Sequence, residues 1–94
     1  MPNTSVDYLN KAAAIQEERG KNYDQPGGER SMAAVVKAFN ALFDQDLTET
    51  QGWQFMSLLK KRRLHSAPGH HQDSAEDDVS YTALAAESSE RNGE

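Results

Sequence analysis

Residues 29–43, ERSMAAVVKAFNALF, carry the clearest amphipathic pattern in the chain. Large apolar side chains recur there at intervals of three and four residues, namely Met32, Val35, Val36, Phe39, Leu42 and Phe43. Because this spacing follows the turn of an α-helix, it places all of them on one helical face. The stretch therefore predicts a helix over 29–43 that buries this face.

The next segment predicts another helix that packs against the first. After a turn at 44–46, Thr48-Glu49-Thr50-Gln51 has the form of a capping box, in which Thr48 and Gln51 satisfy each other's backbone amides. A broad apolar arc follows, made of Trp53, Phe55, Met56, Leu58 and Leu59. We expect this arc to be the centre of the core and the helix to end in the basic run 60–65.

A helix is also predicted before this pair, from about Ser5 to Arg19. Thr4 is its expected N-cap, and Gly20 is expected to stop it as a left-handed C-cap. The segment 21–28 contains Pro26, Gly27 and Gly28, which break helices, so it predicts a loop.

The last predicted helix begins at Asp73-Ser74-Ala75-Glu76, which resembles a second capping box with Asp73 as N-cap. It continues to about Glu87, and the polar residues 89–94 predict a disordered acidic tail. No segment alternates as a strand does. The sequence thus predicts an all-α protein, a compact bundle of about four helices in one domain over residues 1–88.

Composition narrows the classes of function. Of the 94 residues 36% are hydrophobic, many of them alanines, so the apolar area of one chain is modest. A homodimer or a bound partner is expected to supply the missing burial. The net charge of -5 disfavours direct nucleic-acid binding, which needs a surplus of Lys and Arg. Without cysteines, a signal peptide or a run of eighteen apolar residues, the expected location is the cytoplasm and no membrane is expected as partner.

Charged residues near the last helix are the first candidates for chemistry. Asp77 and Tyr81 lie four apart on a helix and share its inner face. A carboxylate buried there needs a cation, which Lys60 or Arg63 of the preceding helix would supply. This pairing would be structural, or the same residues would bind a substrate.

Signals for metals and catalysis are weak. His70 and His71 are adjacent on a loop, an arrangement that seldom converges on one metal ion. Glu17 and Glu18 would suit magnesium, although a solvated helix face also explains them. Gly27-Gly28 before a helix resembles a phosphate-binding turn but lacks a full motif. No nucleophile triad is evident, and we expect no catalytic or metal residues and no cofactor.

Several motifs together carry a resemblance to a known group of proteins. They are E-x-R-G-x-x-Y-D-x-P at 17–26, G-E-R-S-M at 28–32, F-N-A at 39–41, L-T-x-x-x-G-W-x-F-M-x-L-L-K at 47–60, and D-S-A-E-D-x-x-x-Y-x-A-L-A-x-E at 73–87. In this respect the chain resembles small, uncharacterised helical proteins of tailed phages and prophages. That group is distantly similar to the all-α MazG-like nucleotide pyrophosphohydrolases.

The resemblance implies a site that this chain only partly keeps. MazG-like enzymes work as dimers or tetramers and hold magnesium with an E-x-x-E pair and an E-x-x-D pair. Here Glu17 and Glu18 are adjacent, and Asp73, Glu76 and Asp77 imitate the other pair only in part. Losing metal ligands removes the charge stabilisation that phosphoryl chemistry needs, so an enzymatic activity is disfavoured.

These features favour a noncatalytic interaction protein that binds and modulates a host or phage protein. The expected binding residues are acidic, because acidic clusters would meet a basic, nucleic-acid-binding surface of the partner. They are Asp44, Asp46, Glu49, Asp73, Glu76, Asp77 and Asp78.

Two alternatives remain open. The first is a divergent MazG-like pyrophosphohydrolase or nucleotide-binding protein, with magnesium as cofactor. Its nucleotide-binding residues would be Lys60, Arg63, Asp73, Asp77 and Tyr81. The second is a structural role in a phage assembly, with dimerisation through Trp53, Phe55 or Phe43 if any of them lies outside the monomer core.

Overall fold

The computed structural model describes residues 2–22, 31–66 and 68–94, and this part of the chain is all-helical with no strand. The helices are α1 (Ser5–Asn22), α2 (Ser31–Phe43), α3 (Glu49–Ser66) and α4 (Gln72–Asn92). This confirms the predicted class and the four helices. The expected loop with Pro26, the turn at Gly27-Gly28 and the first two residues of the expected second helix lie outside the described residues.

Two of the predicted helix starts are confirmed in atomic detail. At α3 the capping box is complete, since the Thr48 amide donates to Gln51 Oε1 and the Gln51 amide donates to Thr48 Oγ1, both at 3.0 Å. At α1 the Thr4 amide donates to Asp7 Oδ2 at 2.9 Å, and the Asp7 amide donates to Thr4 Oγ1 at 3.2 Å. These local spacings therefore fix both starts.

The start of α4 differs from the prediction, because its N-cap is His71 and not Asp73. His71 has an extended backbone, with φ -116° and ψ 99°, and its Nδ1 accepts the Ser74 amide at 3.3 Å. Asp73 lies in the first turn of the helix, where a carboxylate also suits the helix dipole. The side chain of Ser74 is buried, so the cap lies against the body of the protein.

Two helix ends also differ from the expectation. Gly20 does not end α1, which continues through it to Asn22. Likewise α4 runs on through the expected disordered tail at 89–94 as far as Asn92. Gly93, with a φ of 68°, is the left-handed C-cap, and its amide donates to the Ser89 carbonyl. Contacts of this last turn with α3, described below, hold it in place.

The helices pack as an open bundle in the spatial order α1, α4, α3, α2. Among the described residues α1 packs on α4, α4 on α3, and α2 on α3, and no other pair of helices is in contact. The radius of gyration is 14.3 Å, above the roughly 12.4 Å expected for a compact domain of this length. Within the described chain, α2 therefore has one neighbouring helix.

The core is small and unusually polar. Its buried apolar side chains are Ala12, Met32, Val36, Trp53, Leu84 and Ala85. The three most deeply buried side chains are those of Ser74, Ser80 and Ser88. The predicted apolar arc of α3 is only partly buried, because Phe55 is 66% and Leu58 is 63% exposed. The structure thus corrects the expectation that this whole arc forms the core.

Candidate functional site

An ion-pair cluster between α1, α3 and α4 is centred on Asp77. Lys60 Nζ lies 3.1 Å from Asp77 Oδ2, and Arg19 Nη2 lies 3.5 Å from Asp77 Oδ1. The side chains of Lys60 and Asp77 are only 14% and 17% exposed. The predicted pairing of Asp77 with a lysine of the preceding helix is thereby observed, whereas Arg63 is exposed.

Two aromatic rings lie beside this cluster. Tyr81 stacks on Trp53 with ring centroids 5.8 Å apart, and the Arg19 guanidinium carbon lies 5.9 Å from the Tyr81 centroid. Sequence reasoning missed Arg19, and the only signal in the sequence was its three-residue spacing from Gln16. In the structure Gln16 faces the same helix and donates to the Ser80 carbonyl at 3.2 Å. Residues at 16 and 19 thus form the α1 face that meets α4.

The cluster brings together part of the predicted nucleotide set. Lys60, Asp77 and Tyr81 converge, while Asp73 is exposed in the first turn of α4. Two cations face one carboxylate, so the cluster carries a net positive charge. Within residues 2–22, 31–66 and 68–94, no group of three or more His, Asp or Glu side chains is arranged to hold a metal ion.

Four of the seven acidic residues expected to meet a partner bond within the chain instead. Asp77 is paired as described, Asp78 Oδ1 lies 2.8 Å from Lys61 Nζ, and Glu49 Oε2 lies 2.6 Å from Arg91 Nη2. Glu76 accepts a hydrogen bond from Gln72 at 2.7 Å. Asp44, Asp46 and Asp73 are exposed. The charge available to a partner is therefore smaller than the sequence suggests.

The end of α4 is tied to the start of α3 by polar contacts. Glu94 Oε1 accepts the Thr50 amide at 3.2 Å and the Thr50 hydroxyl at 3.0 Å, and the hydroxyls of Thr50 and Ser88 lie 2.7 Å apart. Burial disfavours the charged Glu94 carboxylate, but the bonds from Thr50 and Asn92 outweigh this and lower its pKa. Glu94, which follows the end of α4, thus caps the start of α3.

A continuous apolar surface lies on the outer side of α2 and α3. We call it the apolar face and define it by Val35, Phe39, Leu42, Phe43, Phe55 and Leu59, whose exposed fractions are 56%, 38%, 78%, 61%, 66% and 37%. Phe39 and Phe43 contact each other with ring centroids 4.9 Å apart. No described helix is long and apolar enough to cross a membrane. An apolar patch of this kind commonly marks an interaction surface.

A groove runs between the two helices within the apolar face. Its volume is about 220 Å³, and it is lined by Met32, Val35, Val36, Phe39, Leu47, Gly52, Phe55 and Met56. The groove exists because Gly52 lets α2 approach α3 closely. A Cβ at this position would lie 2.5 Å from Met32 Sδ and 2.7 Å from Val36 Cγ1.

Opposite charges flank the two ends of the apolar face. Asp44 and Asp46 are exposed in the turn between α2 and α3. Arg62 and Arg63 are exposed at the far end of α3, three and four residues after Leu59, so they continue its stripe by one turn. Among the described residues none of these four side chains forms an ion pair. The face is therefore polarised, acidic at one end and basic at the other.

Comparison with known proteins identifies a family. A family model described as a domain of unknown function, DUF6378, matches residues 7–89, which include all of α2 and α3 and most of α1 and α4. No curated protein and no solved structure matches the chain.

Proposed function

The chain belongs to the DUF6378 family, and from the surface of this member we propose that it is a noncatalytic interaction protein that binds a host or phage protein through the apolar face. The observation that carries this proposal is the exposure of the six large side chains of that face. Burying such a surface against another protein releases its hydration water and supplies the main driving force for association.

The acidic residues have a narrower role in this proposal than composition alone implied. Glu49, Glu76, Asp77 and Asp78 hold the chain together, because each has a partner within it. Asp44 and Asp46 remain exposed beside Leu42 and Phe43. At the rim of an apolar patch such charges steer the encounter and select a partner with basic groups. The expected setting is the cytoplasm of the bacterial host.

A matched pair of variants tests the proposal. Leu42→Asp puts a charge on the apolar face, while Leu58→Asp puts one at an exposed position of α3 outside it. We expect a host or phage protein to be captured by the wild type and by Leu58→Asp but not by Leu42→Asp. Its binding should then be reproduced with both proteins purified, and circular dichroism should show that both variants are folded.

Two outcomes count against the interaction proposal. Capture that Leu42→Asp leaves unchanged would mean that the apolar face is not the binding surface. Absence of any protein whose capture depends on the face would reject the function itself. The acidic rim is tested by Asp44→Asn with Asp46→Asn, which should slow association, most clearly at low salt.

The second candidate, a nucleotide-binding or pyrophosphohydrolase activity, is favoured by one observation. Lys60, Asp77 and Tyr81 converge with Arg19 and Trp53 between three helices. Phosphate release from deoxynucleoside triphosphates, measured with magnesium and an added pyrophosphatase, separates the candidates. The interaction protein should show no turnover. Turnover that Asp77→Asn abolishes and Asp44→Asn retains would establish the enzyme.

A further inference from the structure

We propose that the apolar face binds a second copy of this chain, related by a two-fold axis that lies in the plane of the interface and runs perpendicular to α3, so that the acidic end of one copy meets the basic end of the other. This inference rests on the proposed use of the apolar face as an interaction surface. The second copy and the host or phage protein use the same face, so the partner binds the face of a subunit that has left the dimer. Homodimers are commonly built in this way, with the same patch used by both subunits.

The size of the apolar face suits a dimer. If a fully exposed large side chain presents on the order of 200 Å², the exposed fractions of its six residues correspond to roughly 650 Å² per subunit. A standard interface buries about 800 Å² per partner, rim included. The groove of about 220 Å³ between α2 and α3 can accept an apolar side chain from the opposite copy.

The charges at the two ends fit a second copy in one orientation. The turn with Asp44 and Asp46 precedes α3, whereas Arg62 lies thirteen residues after Glu49, about 20 Å along the helix axis. A two-fold axis in the plane of the interface and perpendicular to α3 makes the two copies of α3 antiparallel across the interface. It therefore brings Asp46 near the partner's Arg62 at both edges of the interface, and this symmetry satisfies both ends at once.

The middle of the interface carries no charge that would oppose burial. Helix α2 contains a single charged residue, Lys37. The helical spacing places it away from the stripe of Val35, Phe39 and Leu42. Two copies can therefore meet there without leaving an ion unpaired, which would cost several kcal/mol, on the order of 3 to 5.

The open edge of the bundle also favours a second copy on α2 and α3. Among the described residues α2 packs on α3 and on no other helix. An amphipathic helix normally buries its apolar stripe, whereas Val35, Leu42 and Phe43 of α2 are more than half exposed. A second copy that covers α2 and α3 would give α2 a second layer of neighbours.

A charge-swap experiment tests this arrangement with the full-length chain. Asp46→Arg alone and Arg62→Glu alone each bring like charges together across the two-fold axis, so each variant should dimerise at least about tenfold more weakly than the wild type. An equimolar mixture of the two variants should regain wild-type affinity. In the mixed dimer the introduced arginine of one subunit faces the introduced glutamate of the other at one edge. At the second edge the unchanged Arg62 faces the unchanged Asp46, so both contacts are complementary.

The control is Asp73→Arg, which makes the same charge change at an exposed acidic residue of α4 away from the face. It should leave the dimerisation constant unchanged. Sedimentation equilibrium and light scattering give the constants, and circular dichroism verifies folding. If single variants misfold, the same cycle with Asp46→Asn and Arg62→Gln, each weakening the dimer, keeps the proposal testable.

Two results would overturn the inference. The first is a wild-type chain that stays monomeric at about millimolar concentration. The second is a dimer that the single charge reversals do not weaken, or that the mixture of the two variants fails to restore. The interaction function fails separately. A monomer that captures a partner through Leu42 retains that function without the dimer, and a charge-swapped dimer that captures nothing retains the dimer without that function.

Discussion

The two sides of α3 are packed in different ways. Towards α4 many contacts are polar, since Ser57 donates to Asp78, Lys60 pairs with Asp77, and Thr50 bonds to Ser88. The stack of Trp53 on Tyr81 adds an apolar contact on this side. Towards α2 the contact is apolar and close, made by Gly52 against Met32 and Val36. Polar pairs need specific partners at fixed positions, whereas an apolar surface accepts any complementary surface. The first side is therefore covered within the chain, whereas the second leaves apolar surface exposed, which the proposed interaction would cover.

The largest effect should come from breaking the polar side at Asp77. Asp77→Asn keeps the shape of the side chain but removes the charge that Lys60 and Arg19 share. Because Lys60 is mostly buried, its charge then lacks compensation, and we expect the free energy of unfolding to fall by about 2–3 kcal/mol. Urea titration measures the change. Asp73→Asn, at an exposed position, should shift the free energy of unfolding by less than about 0.5 kcal/mol. Equal effects of the two variants would contradict the stabilising role of the ion pairs at Asp77.

The close apolar contact is tested at Gly52. A Cβ there would overlap the side chains of Met32 and Val36, so Gly52→Ala should push α2 outwards and cost about 1–3 kcal/mol of stability. The control is Gly20→Ala, which also lies within a helix but has nothing within 4 Å of the added carbon. Since alanine is the better helix former, this control should gain up to about 1 kcal/mol.

Both glycine variants are measured by thermal and urea unfolding. If Gly52→Ala were as stable as Gly20→Ala, the approach of α2 to α3 would not be limited by this position. A dimer that forms through the apolar face should also weaken in Gly52→Ala, because the groove that receives the opposite copy changes its width.

The smallest effect concerns the pH dependence of the contact between Glu94 and Thr50. The pKa of Glu94 is lowered from its ordinary value of 4.5 in the folded chain. Its contribution to stability is therefore present above about pH 4.5 and is lost as the pH falls through the lowered pKa. We expect wild type and Glu94→Gln to differ most near neutral pH and to converge in acid. A difference that stays constant with pH would contradict the role of the charge.

The parts of the fold that depend on local spacing could be predicted from the sequence. The capping box of Thr48 and Gln51 involves residues three apart, and the pair of Lys60 and Asp77 follows from two adjacent antiparallel helices. The N-cap of α4 could not be predicted in this way. Two candidates lie two residues apart, and tertiary contacts at Tyr8, His70 and Gln72 dock this end of α4 onto α1.

The exposure of Phe55 shows a second limit of sequence reasoning. Helical spacing correctly places Phe55 and Leu59 on an apolar face of α3, but spacing carries no information about what covers that face. In this chain the neighbouring helix covers only part of it. The same pattern would describe a core helix and an interface helix, so only the arrangement of all four helices separates the two.

The three buried serines of α4 have a thermodynamic consequence. Ser74, Ser80 and Ser88 occupy positions where larger hydrocarbon side chains would ordinarily be sequestered. The heat-capacity increment of unfolding rises with apolar surface and falls with polar surface. A single copy of this chain should therefore have a small heat-capacity increment of unfolding for its length. Its free energy of unfolding should then vary little with temperature, with cold denaturation far below the freezing point of water.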